Sequence, residues 1–377
     1  MMADGMKHRS LLDKRPFSAI VLVLISALLL SLYINDQQSK MNTLIHRLSS
    51  TNIFTSSAES EFRALANSYQ RVRPGEIPES IIDKYYDKIG PEIMLNIVDE
   101  NPYCHYAGHS IGRAVLEKTR DFDRAMEICG VHCNQGCFHG ALMQMIRNET
   151  VDLAQLSSKD AIDLREFSDE LCQSAKTSIN IDHGTCYHGL GHAFMYWAND
   201  SLPLAIPACS IFPEYWDRFT CASGAYMQYY LDFGSDGQPY PCLESPYPAA
   251  CYRSKFSFAN RSLTLLKTQK QSCLQLSGQY QLACLFGLGH GYEGYVLNGK
   301  IKMDDLCAGT RDQKHMCIDG VIISMAFYAK EKAIKLCHTM DLAFLEYCLN
   351  DTNIFDHWLD RPTKYYVLNE SEDRAFE

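Results

Sequence analysis

The chain is 377 residues long, 46% hydrophobic and 21% charged, with a formal net charge of -10. That length and apolar content allow one large domain or two ordinary ones, and they exclude global disorder. The acidic balance excludes nucleic acid as a partner, because that needs a basic face.

Lys7, Arg9, Lys14 and Arg15 precede an apolar run of 18 residues, FSAIVLVLISALLLSLYI from Phe17 to Ile34, and Asp36 follows it. Such a run is just long enough to cross a bilayer as a helix. It exceeds the usual core of a cleaved signal peptide and no small-x-small cleavage site follows it, so 17–34 reads as a transmembrane signal anchor. The positive-inside rule makes 1–16 a cytoplasmic tail and places the rest outside the cytoplasm, in a periplasm, at a cell surface or in a secretory lumen. The membrane is therefore the first expected partner.

Residues 35–75 read as a stalk: Met41, Leu44, Ile45 and Leu48 keep helical spacing, but SSTNIFTSSAES after them is rich in Ser and Thr. The stretch RPGEIPES, Arg73 to Ser80, marks the start of a folded domain over 76–360, and 361–377 is an acidic tail. Sequons at Asn148, Asn199, Asn260, Asn350 and Asn369 are acceptors where the host glycosylates.

All 16 cysteines lie beyond the apolar run. That number belongs in an oxidising compartment, where it forms a disulfide framework. With Cys137, Cys186, Cys221, Cys251, Cys284, Cys317 and Cys348 as anchors, the successive steps are 49, 35, 30, 33, 33 and 31 residues. A period near 33 is the length of a helix–turn–helix repeat. Three residues beyond the anchors stand Gly140, Gly189, Gly224, Ser254, Gly287, Gly320 and Asp351. Six beyond stand Met143, His192, Met227, Ser257, His290, Ile323 and Ile354.

The second half of the unit also recurs: FDRAMEIC ends at Cys129, REFSDELC at Cys172, LPLAIPAC at Cys209 and KEKAIKLC at Cys337. These read as short helices with a cysteine in the last turn. Pairing each with the next anchor predicts the bridges Cys129–Cys137, Cys172–Cys186, Cys209–Cys221, Cys242–Cys251, Cys273–Cys284, Cys307–Cys317 and Cys337–Cys348, leaving Cys104 to join Cys133. Each hairpin is read as too poor in core to stand alone, so that a covalent staple compensates. Thiolate metal sites would call for C-x2-C pairs, and there are none. The expected fold is all-α, a ladder of disulfide-stapled helical hairpins like an α-solenoid. The repeat resembles tetratricopeptide-type and Sel1-like repeats in length, without the tryptophan-leucine-glycine-tyrosine pattern of the former.

Glycine inside a helix costs about 1 kcal/mol relative to Ala. Its recurrence is expected to mark close approach of a neighbouring helix, or else of a ligand. CYHGLGHAF sets His188 and His192 four apart, and CHYAGHS sets His105 and His109 likewise. His139 occupies the place of His188 in its own unit, and His290 that of His192. Imidazoles at i and i+4 share a helix face, the spacing of metal ligands. The candidate ligands are thus His105, His109, His139, His188, His192 and His290, lining a concave face, with copper or zinc as the metal. Met143 and Met227 suit copper, and Asp182, Glu293 and Asp319 are the carboxylates to hand. Structural histidines and metal-free acid–base catalysis are the competing readings. No HExxH or C-x-x-C-H occurs, and CASGAYM at Cys221 lacks a lipase-type G-x-S-x-G context.

Two functions are expected on these grounds. One is a non-catalytic binding or scaffolding module for an extracytoplasmic protein, since solenoids present extended surfaces. The other is a metal-binding protein or metal-dependent enzyme built on the histidines.

Overall fold

The computed structural model describes residues 53–349, apart from 73–75, 102–103, 149–157, 180, 234–241, 259–261, 342–343 and 347. The expected transmembrane helix 17–34, the cytoplasmic tail, the acidic C-terminus and the sequons at Asn260, Asn350 and Asn369 lie outside these residues. Among the described residues no helix is long and apolar enough to cross a membrane. Residues from 61 onward belong to one compact unit, which holds all 16 cysteines.

Every described element is helical: α1 (Ile53–Val72), α2 (Glu79–Ile89), α3 (Pro91–Asp99), α4 (His105–Thr119), α5 (Phe122–Cys129), α6 (Gly136–Arg147), α7 (Ser158–Ile179) and α8 (His183–Trp197). Then come α9 (Leu202–Cys209), α10 (Tyr215–Asp232), a 3-10 turn (Cys242–Glu244), α11 (Pro248–Phe258), α12 (Leu263–Leu274), α13 (Gly278–Leu297), α14 (Met303–Leu306) and α15 (Arg311–Cys337). Local chemistry sets many boundaries. Asp121 caps α5 by accepting from the Arg124 N–H at 3.0 Å, and Asp182 caps α8 through the Thr185 N–H at 2.7 Å. Thr310 and Gln313 form a reciprocal capping box at the start of α15. That helix breaks at Ala329, so KEKAIKLC is a separate segment in all but hydrogen bonding. The segment REFSDELC differs from expectation: it lies inside α7, which runs on to Ile179.

The repeat is carried by α4, α6, α8, α10, α11, α13 and α15, each packed against the next. The stretches between them, and the last turn of α15, supply the cysteines that pair with the anchors. Bridges join Cys129–Cys137, Cys172–Cys186, Cys209–Cys221, Cys242–Cys251, Cys273–Cys284, Cys307–Cys317 and Cys337–Cys348, and close 8 to 14 residues each. The eighth, Cys104–Cys133, spans 29. Sulfur does not act alone, however. Phe62, Tyr85, Phe138, Phe194, Phe219, Tyr226, Phe286 and Tyr292 are all fully buried, a sizeable aromatic core.

Glycines determine how the repeat helices cross. A methyl group on Gly112 would run into the Cys137 carbonyl, and one on Gly140 into that of His109. Gly191 and Gly224 stand the same way to Cys221 and His188, and Gly289 and Gly320 to Cys317 and Phe286. In all three pairs the glycine five beyond one anchor meets the next anchor's carbonyl, and the glycine three beyond that next anchor returns the contact. Backbones touch there, so only glycine fits. Ser254 occupies the equivalent place between α10 and α11 and donates to the Ser223 carbonyl at 3.4 Å. This register makes Ala107 the anchor of α4. His109, His139 and His188 are then equivalent, two beyond their anchors. The pairs 105/109 and 188/192, alike in spacing, are therefore offset in the structure.

The contact between α6 and α8 breaks the rule. Gly189 faces the His139 ring and the Leu142 side chain rather than a backbone carbonyl. Imidazoles fill the space that backbone occupies elsewhere.

Candidate metal centre

His105 and His109 come from α4, His139 from α6, and His188 and His192 from α8. One ring nitrogen from each of His105, His109, His139 and His192 lies within 4.8 Å of all the others. His188 stands at the edge of this group, its Nε2 3.3 Å from that of His192. His290 does not join them; it sits on α13 with its ring edge-on to Phe258 at 5.5 Å. The site is not an open concave face, because His109 and His192 are wholly buried and His139 is 2% exposed. It is enclosed in the packing of three helices.

Outer partners orient the rings. His105 Nδ1 faces the carbonyl oxygens of Cys133 and Asn134 at 3.2 and 3.1 Å. Carbonyls only accept, so Nδ1 carries the hydrogen and Nε2 keeps its lone pair. His192 Nδ1 meets Gln228 Oε1 at 2.9 Å, while the Gln228 amide nitrogen donates to Asp232 at 2.8 Å and so fixes which end faces the ring. His109 Nδ1 lies 3.7 Å from Glu76 Oε1, and Arg113 grips both oxygens of Glu76 at 2.8 and 2.7 Å. Glu76 stands beyond hydrogen-bond reach of His109 Nδ1, whereas His105 and His192 each have an acceptor behind Nδ1 and turn Nε2 toward another imidazole. That is how metal-binding histidines are held.

Several buried nitrogens remain without a hydrogen-bond partner: both of His109, Nε2 of His139 and Nδ1 of His188. His139 Nδ1 is 3.4 Å from His105 Nε2. Two nitrogens bound to one tetrahedral ion at about 2.0–2.1 Å would stand about 3.3–3.4 Å apart. The spacing between His105 and His139, and that between His188 and His192, already matches.

Burial sets the charge state. It pulls His192 down to about 3 and His105, which keeps some surface exposure, to about 4. His109, His139 and His188 are held well below the usual imidazole range by burial first and by the neighbouring imidazoles second. All five are neutral at pH 7, the form that donates a lone pair.

Beside the cluster lies a polar margin. Arg113 also reaches Glu79 at 3.4 Å, and the Arg113 and Arg147 guanidinium groups each lie 4.9 Å from the centre of the Tyr196 ring. Asp200 is raised by burial and then by Glu76. Asp232, although its side chain reaches the surface, is pushed up to about 7, by desolvation first and then by Asp200 and Glu76.

Spacing on a helix pointed to the histidines, but nothing local pointed to Glu76, Arg113, Gln228 or Asp232. Glu76 lies 33 residues before His109, and Gln228 36 after His192; their roles depend on helix stacking. The suggested carboxylates Asp182, Glu293 and Asp319 are outside the four-histidine group: Asp182 caps α8, while Glu293 and Asp319 are buried on α13 and α15. Met143 is likewise buried.

Set against known families, curated proteins and solved structures, the chain matches none.

Proposed function

We propose that the chain is a metal-binding module that works outside the cytoplasm. It holds one transition-metal ion between His105, His109, His139 and His192, with His188 beside them. The observation that carries this reading is the set of buried imidazole nitrogens without partners, above all the two of His109. Each such nitrogen costs on the order of 1–3 kcal/mol when nothing answers it. Purely structural histidines would be paired, so that reading loses. Metal-free acid–base catalysis also loses, because an imidazole pulled to about 3 or 4 exchanges its proton far from neutrality. Neutral imidazole donors suit zinc, copper, iron and nickel alike.

Eight disulfides support an oxidising compartment. Segment 17–34 would tether the module to a membrane, and the repeat surface would receive an extracytoplasmic protein. The test is elemental analysis of protein purified without chelators, repeated after dialysis against zinc or copper. One ion per chain is expected, falling sharply in His109→Ala and His192→Ala but not in His290→Ala. No bound metal under any loading condition refutes the assignment.

A further inference from the structure

Cys133, Asn134 and Gln135 have φ of 54°, 51° and 63°: three consecutive residues, none of them glycine, in the left-handed region. L-residues visit this region singly and seldom in runs, and such strain persists only where the surroundings over-determine it. From it we infer that this turn is a positioning device for His105 as a metal ligand, an inference that rests on the metal-binding reading above.

The turn points the carbonyls of Cys133 and Asn134 at one atom, His105 Nδ1. Two acceptors on Nδ1 fix both the tautomer and the plane of the ring, and present Nε2 to the cluster. The Gln135 carbonyl also accepts the backbone N–H of His139 at 2.9 Å, so the same turn starts α6 and sets a second ligand.

Two latches hold the turn. Asp99 Oδ1 accepts the Cys133 N–H at 2.9 Å, and its other oxygen faces His132 Nδ1 at 3.1 Å. The disulfide Cys104–Cys133 ties the residue just before His105 to one whose carbonyl receives it. This is the bridge that stands outside the hairpin scheme. Gly136 fits beneath the turn because a methyl group there would strike the His105 carbonyl. Seven bridges staple hairpins; the eighth aims a ligand.

The experiment titrates Co(II) into the full-length chain, reading its d–d bands and its affinity by competition with a chromophoric chelator. Three proteins are compared: wild type, Cys104→Ser/Cys133→Ser, and Cys337→Ser/Cys348→Ser, which loses a hairpin staple far along the chain. Loss of the latch is expected to weaken Co(II) binding by about ten- to a hundredfold and to move the bands. Loss of the distant staple should lower the unfolding midpoint and leave both readouts unchanged. Where the first variant does not fold, Asp99→Ala removes the other latch and carries the same expectation. Unchanged affinity and spectrum in the latch variant, or equal losses in the two disulfide variants, overturns the inference. Wild type that takes up no Co(II) overturns the site itself, and with it the turn's role.

Discussion

Replacing His109 by leucine separates the two sources of stability at this site. In the metal-free protein His109 is wholly buried with both ring nitrogens unpaired. An apolar side chain of similar volume removes that penalty, about 1–3 kcal/mol, for a packing cost below about 1.5 kcal/mol. The metal-free variant should therefore match or exceed wild type, by up to about 2 kcal/mol. A metal at a hundredfold excess over its dissociation constant adds about 2.7 kcal/mol to wild type. At about 2 °C per kcal/mol for a unit of this size, that is roughly 5 °C in the unfolding midpoint. The assay is thermal unfolding by circular dichroism, in chelator and then with zinc or copper. The expected pattern is a crossing, with the variant level or above wild type in chelator and clearly below it when metal is present. A variant that loses about 2–5 kcal/mol in chelator, as an ordinary core truncation does, beside a wild type indifferent to metal, refutes the reasoning.

Gly112→Ala or Gly140→Ala puts a methyl group against a neighbouring carbonyl and should cost about 1–3 kcal/mol by overpacking, with metal affinity falling too as α4 and α6 part; chemical denaturation and metal titration check both. Gln135→Gly relieves a left-handed residue and should raise stability by about 1 kcal/mol, again read by denaturation. The His132–Asp99 pair gives a pH signature. Its hydrogen bond to Asp99 raises His132, so that share of stability is full below 6.5 and fades as pH rises through the raised value. The same bond leads the lowering of Asp99, whose share is present above 3.8 and fades as pH falls through the lowered value. The pair thus contributes most between 3.8 and 6.5. His132→Ala should flatten that part of the stability–pH curve, and an unchanged curve counts against the pair.

The difference between FDRAMEIC and REFSDELC shows where sequence reasoning holds. FDRAMEIC has a capping Asp121 before it and Gly130 after it, so α5 ends where its residues say it should. REFSDELC has no such stop, and α7 continues beyond Cys172. The histidines divide in the same manner. His188 and His192 share a face because 3.6 residues make a turn, which any reader of the sequence can see. Whether His290 joins them depends on how many helices apart α8 and α13 stand, and no spacing along the chain states that. Spacing also aligned His105 and His109 with His188 and His192, whereas the glycine contacts set His109 level with His188 instead.

By itself the sequence determined the helical character, the repeat and the partners of its cysteines, because each rests on neighbours within a few tens of residues. It also named five of the imidazoles that meet. Only the tertiary structure decided that they meet inside the packing rather than on an open face, that Glu76 and Gln228 stand behind them, and that a left-handed turn aims one of them. Those outcomes depend on the distance and offset between stacked helices. Backbone contacts at glycine set both, through space and between residues far apart in the chain.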